Sequence, residues 1–340
     1  MPLKALAAAT LLLTACAGTV VEGASTEVGF SPGAGILSLD DDELDRELEE
    51  MAALGARWIR VDFDWPSIEP EPGQFEWDAT DRIVESARAR DLDVLALPTY
   101  TPEWARPSGF GDKHPPTDVA DYARFLTEAV GRYEPLGVSV WEIWNEPNVE
   151  QFWEPKPDIA AYGQLVDAAS AAIRAVDPEA FVLSGGLAPA DDSTEAAIAP
   201  LTFLRGLYDM GHDAFDGVAV HPYSYPAAPL DAEPWNSFAA LPNLRAELVA
   251  EGDGAKSIWL TEYGAPTGDS SRAVSPDDQA RFVTEAVDVA GVWSWTGPIL
   301  LYSYRDAGTD AGDAEDNFGL VDREFSPKPA LEALRAELGA

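Results

Sequence analysis

Two stretches of this 340-residue chain run apolar and end in a glutamate. In Trp141-Glu142-Ile143-Trp144-Asn145-Glu146-Pro147-Asn148, the run from Val138 to Trp144 reads as a buried strand. Pro147 has no N–H to donate, so it stops the ladder there. Ile258-Trp259-Leu260-Thr261-Glu262-Tyr263-Gly264 repeats the design. A carboxyl at the end of a buried strand, among tryptophans, is poorly solvated. That raises its pKa and lets it hold and deliver a proton near neutral pH. Asn145 beside it can hydrogen-bond a polar substrate without adding charge. Two carboxyls facing each other across a pocket can cleave a glycosidic bond. One protonates the departing oxygen while the other attacks the anomeric carbon or activates water.

Such chemistry needs a scaffold that brings positions 146 and 262 together. From Val28 onward, short apolar runs alternate with longer amphipathic ones. Strands are predicted at Val28 to Leu37, Arg57 to Phe63, Asp91 to Leu97, Val138 to Asn145, Phe181 to Ser184, Val218 to Val220, Ser257 to Thr261 and Pro298 to Tyr304. Helices are predicted at Asp40 to Leu54, Asp78 to Arg90, Thr117 to Tyr133, Pro157 to Val176, Leu201 to Met210, Phe238 to Glu251, Pro276 to Val292 and Pro329 to Leu338. Runs such as Val94-Leu95-Ala96-Leu97 are apolar on both faces, as parallel strands under helices must be. Eight strand–helix units with nothing left over point to an α/β fold, a single (β/α)₈ TIM barrel. The alternative, an open doubly wound sheet, lacks a G-x-G-x-x-G after an early strand. No interdomain linker follows residue 27, so residues 27–340 read as one catalytic domain. The longest irregular stretches, Asp64 to Trp77, Pro98 to Pro116, Pro222 to Ser237 and Arg305 to Ser326, all follow strands. In a barrel that is the face on which sites are built.

The composition excludes several classes of partner. A net charge of -38, spread along the whole chain, argues against nucleic acid and anionic membrane surfaces, which carry the same sign. It fits an acidic secreted protein, or one kept hydrated in a high-salt habitat; thermal melts at low and high salt separate the two. With one cysteine, Cys16, and three histidines, His114, His212 and His221, a His- or Cys-ligated zinc site is not expected. Carboxylates alone could take Ca²⁺ or Mg²⁺, but no EF-hand spacing occurs. The expectation is no metal and no cofactor.

The motifs carry a resemblance. The chain is similar to clan A glycoside hydrolases, the retaining barrels with an acid/base Glu after strand 4 and a nucleophile Glu after strand 7. Trp144-Asn145-Glu146-Pro147 matches the acid/base motif, and Thr261-Glu262-Tyr263-Gly264 the nucleophile motif. Within the clan it most resembles family 39, with cellulase-like family 5 barrels next, over about residues 28–340. The resemblance implies Glu146 as acid/base and Glu262 as nucleophile. It implies that Arg60, near the end of strand 2, lies beside the nucleophile, where a cation keeps a carboxylate ionised. An internal ion pair of Arg60 with Glu142 or Asp62 is the plainer reading, and both can hold. His221 and Tyr223, in Val220-His221-Pro222-Tyr223, occupy the family's strand-6 His and Tyr positions. The Tyr there donates to the nucleophile, and Asn145 contacts the sugar 2-OH. One departure stands on strand 3, where many clan members carry a His and this chain has Pro98-Thr99-Tyr100. Thr101-Pro102-Glu103-Trp104-Ala105 again resembles family 39, and Asn317 to Asp322 and Ser326 to Ala330 look like its closing loop and helix. Among eleven Trp, ten Tyr and thirteen Phe, the aromatics expected at strand-end loops are Trp65, Trp104, Trp153, Trp235 and Tyr304. Flat rings there would stack on sugar faces.

The expected activity is thus retaining hydrolysis of O-glycosidic bonds in a poly- or oligosaccharide. The alternative is a non-catalytic carbohydrate-binding lipoprotein on the same scaffold. No obligate protein partner is evident. Residues 1–15 read as a lipoprotein-type signal peptide. Lys4 is a weak positive start, Ala5 to Leu13 is an apolar core too short to span a bilayer, and Leu13-Thr14-Ala15-Cys16 resembles the bacterial lipobox. Residues 16–26 read as a tether. The protein is expected outside the cell, held to the membrane only through a lipid on Cys16; plain secretion is the alternative.

Overall fold

The structure, a computed structural model, describes residues 26–339. The signal, the lipobox with Cys16, and nearly all of the tether lie outside the described residues.

Eight parallel strands close into a barrel in chain order. They are β1 (Val28–Phe30), β2 (Trp58–Asp64), β3 (Asp93–Thr99), β4 (Val140–Glu142), β5 (Phe181–Leu183), β6 (Gly217–Val220), β7 (Ser257–Tyr263) and β8 (Thr296–Leu301). Pairing of β1 with β8 completes the cylinder, with Val28 opposite Ile299 and Phe30 opposite Leu301. The helices are α1 (Asp41–Ala53), a one-turn α2 (Trp65–Ile68), α3 (Asp78–Arg88), α4 (Val119–Tyr133), α5 (Ile159–Val176), α6 (Pro200–Met210), α7 (Leu241–Ala250), α8 (Pro276–Val292) and α9 (Pro329–Leu338). Several begin at side-chain caps: the carboxylates of Asp40 and Asp158 and the hydroxyl of Ser275 each accept an orphan N–H of the first turn.

Alternation sorts each strand's residues. One set faces the helices: Ile59, Val61, Val94, Ala96, Trp141, Val182, Val218, Ile258 and Ile299 join the main core. The other set points into the barrel, where Leu95, Val140, Leu183, Ala219, Trp259 and Leu300 form a separate cluster with Trp58 and Phe181. Burial on both sides explains the unbroken apolar runs of the sequence.

Of the strands, β1 and β4 fall furthest short of their expected lengths, and both shortfalls serve the barrel mouth. The segment Val28 to Leu37 is a strand only to Phe30; Gly33, at φ 70°, then turns the chain into a 3₁₀ helix, Ala34–Ser38. Regular pairing of β4 ends at Glu142, because Trp144 and Glu146 have φ of 72° and 47°. Non-glycine residues seldom adopt that left-handed region. After β4 the chain stays tied to the β5 edge, with Asn145 bridging Gly186 and Glu146 N–H donating to the Gly186 carbonyl at 3.1 Å.

Candidate active site

The inward residues change character along each strand. On β2 the series is Trp58, Arg60, Asp62. Val140 gives way to Glu142 on β4, and Ala219 to His221 just past β6. Apolar packing ends and a charged layer begins at the carboxyl ends of the strands, where barrel sites lie.

Arg60 is the hub of that layer, and all five of its N–H donors are used. Nε and Nη2 hold Glu142 at 3.1 and 2.8 Å, Nη1 reaches Glu262 at 2.5 Å and Ser31 at 3.3 Å, and Nη2 donates to Asn145 Oδ1 at 2.9 Å. The two readings of Arg60 therefore coexist: it pairs internally with Glu142 and also contacts Glu262. Glu142 is fully buried and takes a further bond from Gly186 N–H at 3.0 Å. A side chain at position 186 could not fit, since its Cβ would stand 2.2 Å from His221 Nε2. Because Arg60 can only donate, the Asn145 oxygen must face it, which leaves the amide NH₂ on the cleft side.

Glu262 also accepts from the Tyr223 hydroxyl at 2.8 Å. His221, fully buried, places Nδ1 at 2.8 Å from Glu146 Oε1 and 3.5 Å from Glu262 Oε2. Its Nε2 faces the Arg60 guanidinium at 3.4 Å, so the proton belongs on Nδ1, which donates to Glu146. Oxygens of Glu146 and Glu262, together with a ring nitrogen of His221, lie within 4.8 Å of one another. Each of the two glutamate side chains is 13% exposed, enough to be reached from the cleft.

The environments push the two carboxyls apart. Burial raises Glu146, and the His221 hydrogen bond offsets that only in part, so its pKa ends above the usual Glu value. Burial also raises Glu262, but His221, Arg60 and Tyr223 outweigh it and hold the carboxyl below the usual value. Burial pulls His221 down, yet the flanking Glu262 and Glu146 leave it net raised. One acid that keeps its proton beside one that sheds it is a division of labour set by surroundings alone. The trio Glu146, His221 and Glu262 also has the spacing of a metal site. Its lone pairs are directed elsewhere, however: Glu262 onto a guanidinium and a phenol, and Glu146 onto the His221 N–H. A dication there would sit against the Arg60 charge.

These groups open into a hollow of about 500 Å³ whose aromatic walls are Tyr100, Phe152, Tyr223, Tyr225, Tyr302 and Phe318. None of the loop aromatics expected there lines it. Trp65 is fully buried at the start of α2, edge-on to Trp104 at 5.6 Å, and donates to Glu69. Half-buried Trp104 donates to the Glu69 carbonyl and does not line the hollow. Buried Trp153 packs on Trp144 at 5.3 Å and Tyr162 at 5.7 Å. Tyr304 turns outward and gives its hydroxyl to Glu50 on α1 at 2.6 Å. Trp65, Trp104 and Tyr304 each give their polar atom to a partner away from the hollow, and Trp153 is held by its aromatic neighbours. Trp235 is 50% exposed and lines a neighbouring groove of about 690 Å³, which shares Pro189 with the hollow. Sequence reasoning missed Tyr302; two-residue alternation past β8 would have picked it, since it follows inward Leu300. It also treated Asp62 only as an ion-pair partner, although Asp62 shares the face of Arg60.

A model of the cellulase family (glycosyl hydrolase family 5) matches residues 39–298. The chain belongs to that family. No curated protein matches it. Among solved structures, it is similar to a family 39 glycoside hydrolase from Bacteroides cellulosilyticus WH2, at 22% identity and a TM-score of 0.71, covering 92% of this chain and 63% of the other. It is also similar to a monomeric β-xylosidase from Caulobacter crescentus CB15, at 21% identity and a TM-score of 0.73, covering 92% and 67%. A subfamily 18 member of family 5 from Streptomyces cattleya, solved with GlcNAc, shares 20% identity at a TM-score of 0.70, covering 93% and 80%. These likenesses establish the shared barrel. The chain spans less than two thirds of the length of the first of them.

Proposed function

We propose that the protein is a retaining β-glycoside hydrolase acting outside the cell on a poly- or oligosaccharide. The observation that carries this is the short gap between Glu146 and Glu262, their oxygens within 4.8 Å, combined with opposite pKa shifts. Retaining enzymes hold the two carboxyls about 5–5.5 Å apart, whereas inverting ones need about 6.5–9.5 Å to seat a water between them.

In the first displacement a Glu262 oxygen bonds to the anomeric carbon as the bond to the leaving oxygen breaks. Since Glu146 Oε1 accepts from His221, its proton sits on Oε2 and passes to that leaving oxygen. A glycosyl ester of Glu262 results. Glu146, now ionised, takes a proton from water; the water oxygen attacks the anomeric carbon, and Glu262 departs as carboxylate. Asn145 turns its NH₂ toward the sugar hydroxyl next to the reacting carbon. The adjoining groove with Trp235 supports a substrate longer than one sugar.

The test is a glycan panel that includes β-xylosides and β-linked GlcNAc compounds, with NMR of the first-formed anomer. β product is expected; α product overturns the retaining mechanism. For the export signal, labelled fatty acid should enter the wild type and not Cys16→Ser; equal labelling overturns the lipid anchor.

A further inference from the structure

The charged layer contains one carboxylate with no assigned task. Asp62 lines the hollow on β2, one inward position beyond Arg60. Its neighbour across the β3 ladder is Leu97, which offers no donor. Among the described residues, nothing donates a hydrogen bond to either Asp62 oxygen, and Arg60, the nearest cation, has committed every N–H elsewhere. The other arginine of the hollow, Arg272, sits at 3.3 Å from Glu315. Asp62 faces further negative charge on Asp64 of its own strand, Glu142 of β4 and Glu262 of β7. Burial, with that charge added, pushes its carboxyl up to about 6 despite Arg60. A half-buried acceptor left without a donor costs stability, unless a ligand brings the donors.

We propose that Asp62 determines substrate specificity by accepting hydrogen bonds from two hydroxyls of the sugar unit that Glu262 attacks, and that this unit is uncharged. A carboxylate offers acceptors side by side, matched to a pair of neighbouring hydroxyls. A uronate in the same place would set another anion against Asp62 and Glu262, and among the described residues the two arginines that line the hollow, Arg60 and Arg272, already face carboxylates.

The proposal rests on the glycosidase reading, and the experiment separates the two. kcat/KM is measured for wild type, Asp62→Asn and Asp62→Leu on the aryl β-glycoside the panel identifies, on its monodeoxy analogues and on the matching uronide. Asp62→Leu should lose about 10³-fold and Asp62→Asn about 10–100-fold. At least one deoxy analogue should lose about 100-fold in wild type but under about 5-fold in Asp62→Leu, because the partner is already gone. The uronide should not be cleaved. At pH 8 the Tm of both variants should match or exceed wild type, because a buried unpaired charge has been removed. Variants within about 3-fold of wild type, unchanged deoxy penalties, a cleaved uronide, or a lowered Tm would each overturn the role of Asp62 while leaving the glycosidase standing. A wild type that cleaves no glycoside brings down both.

Discussion

The two ends of the barrel interior are built from the same strands yet obey different rules. At the bottom, Trp58 and Trp259 meet edge-on at 5.1 Å and Phe181 stacks on Trp259 at 5.8 Å, closing the cylinder with apolar area. At the top, a buried guanidinium holds two carboxylates and an amide, and a buried imidazole bonds one glutamate. Both ends are built from inward residues of the strands, but only the bottom gains from the hydrophobic effect. Desolvating charges generally costs about as much as their pairing returns. The lower interior therefore carries stability and the upper interior carries chemistry, a separation that substitutions can test.

The largest expected effect is at the top. Glu262→Gln should lower kcat on the order of 10⁵-fold, about 7 kcal/mol of transition-state stabilisation, with a Tm somewhat lowered at neutral pH because the fold favours the ionised carboxyl. Glu146→Gln should be as damaging on an unactivated glycoside but partly spared on a dinitrophenyl one, whose leaving group needs no proton. Full activity of either variant on a natural glycan would dissolve the contrast. At the bottom, Trp259→Ala should cost about 3–5 kcal/mol in denaturant unfolding and leave KM of the remaining folded enzyme within about 2-fold. A smaller effect sharpens the electrostatic half. Tyr223→Phe removes a bond to a charged group and should lower kcat/KM about 10–100-fold. The wild-type pH profile should be bell-shaped, with an acid limb below the usual Glu range from Glu262 and an alkaline limb above it from Glu146. Without the Tyr223 donor, the acid limb should move up in pH while the alkaline limb stays.

The smallest effect lies outside the barrel. Glu47 on α1 is buried 3.7 Å from Arg305, and burial pushes its carboxyl up to about 7. The fold thus favours its protonated form. Its contribution is most favourable below the ordinary value of 4.5 and declines as pH rises toward 7. Glu47→Gln lacks that decline and should gain about 1 kcal/mol at pH 8 and nothing at pH 4. A loss at pH 8 would mean the Arg305 pairing outweighs the desolvation.

The barrel was legible because its strands must be apolar on both faces and its helices on one, a pattern that survives without knowledge of contacts. The positions of Glu146 and Glu262 were legible for the same reason: a strand's end fixes the face and rim on which its residue emerges. The backbone at Trp144 and Glu146 was not legible, since left-handed φ at those residues is imposed by the β5 edge. Nor were the rings of Trp65, Trp153 and Tyr304, whose burial was decided by Glu69, a neighbouring indole and Glu50. Local sequence places a side chain at a loop; only the fold says which polar atom comes to meet it.

The Arg60 hub has a consequence for the reaction's timing. With Glu146 protonated, the single Arg60 guanidinium is shared between the Glu142 and Glu262 carboxylates, and Asp62 adds a further carboxyl to the same layer, so the resting cluster is rich in negative charge. A sugar turning cationic as its bond opens would meet that charge directly; the ester would then cap Glu262 while Glu146, its proton gone, takes up the negative charge beside His221. In the proposed reaction the charge therefore passes from one glutamate to the other between the half-reactions, and the water that frees the sugar returns it to Glu262 as Glu146 regains a proton.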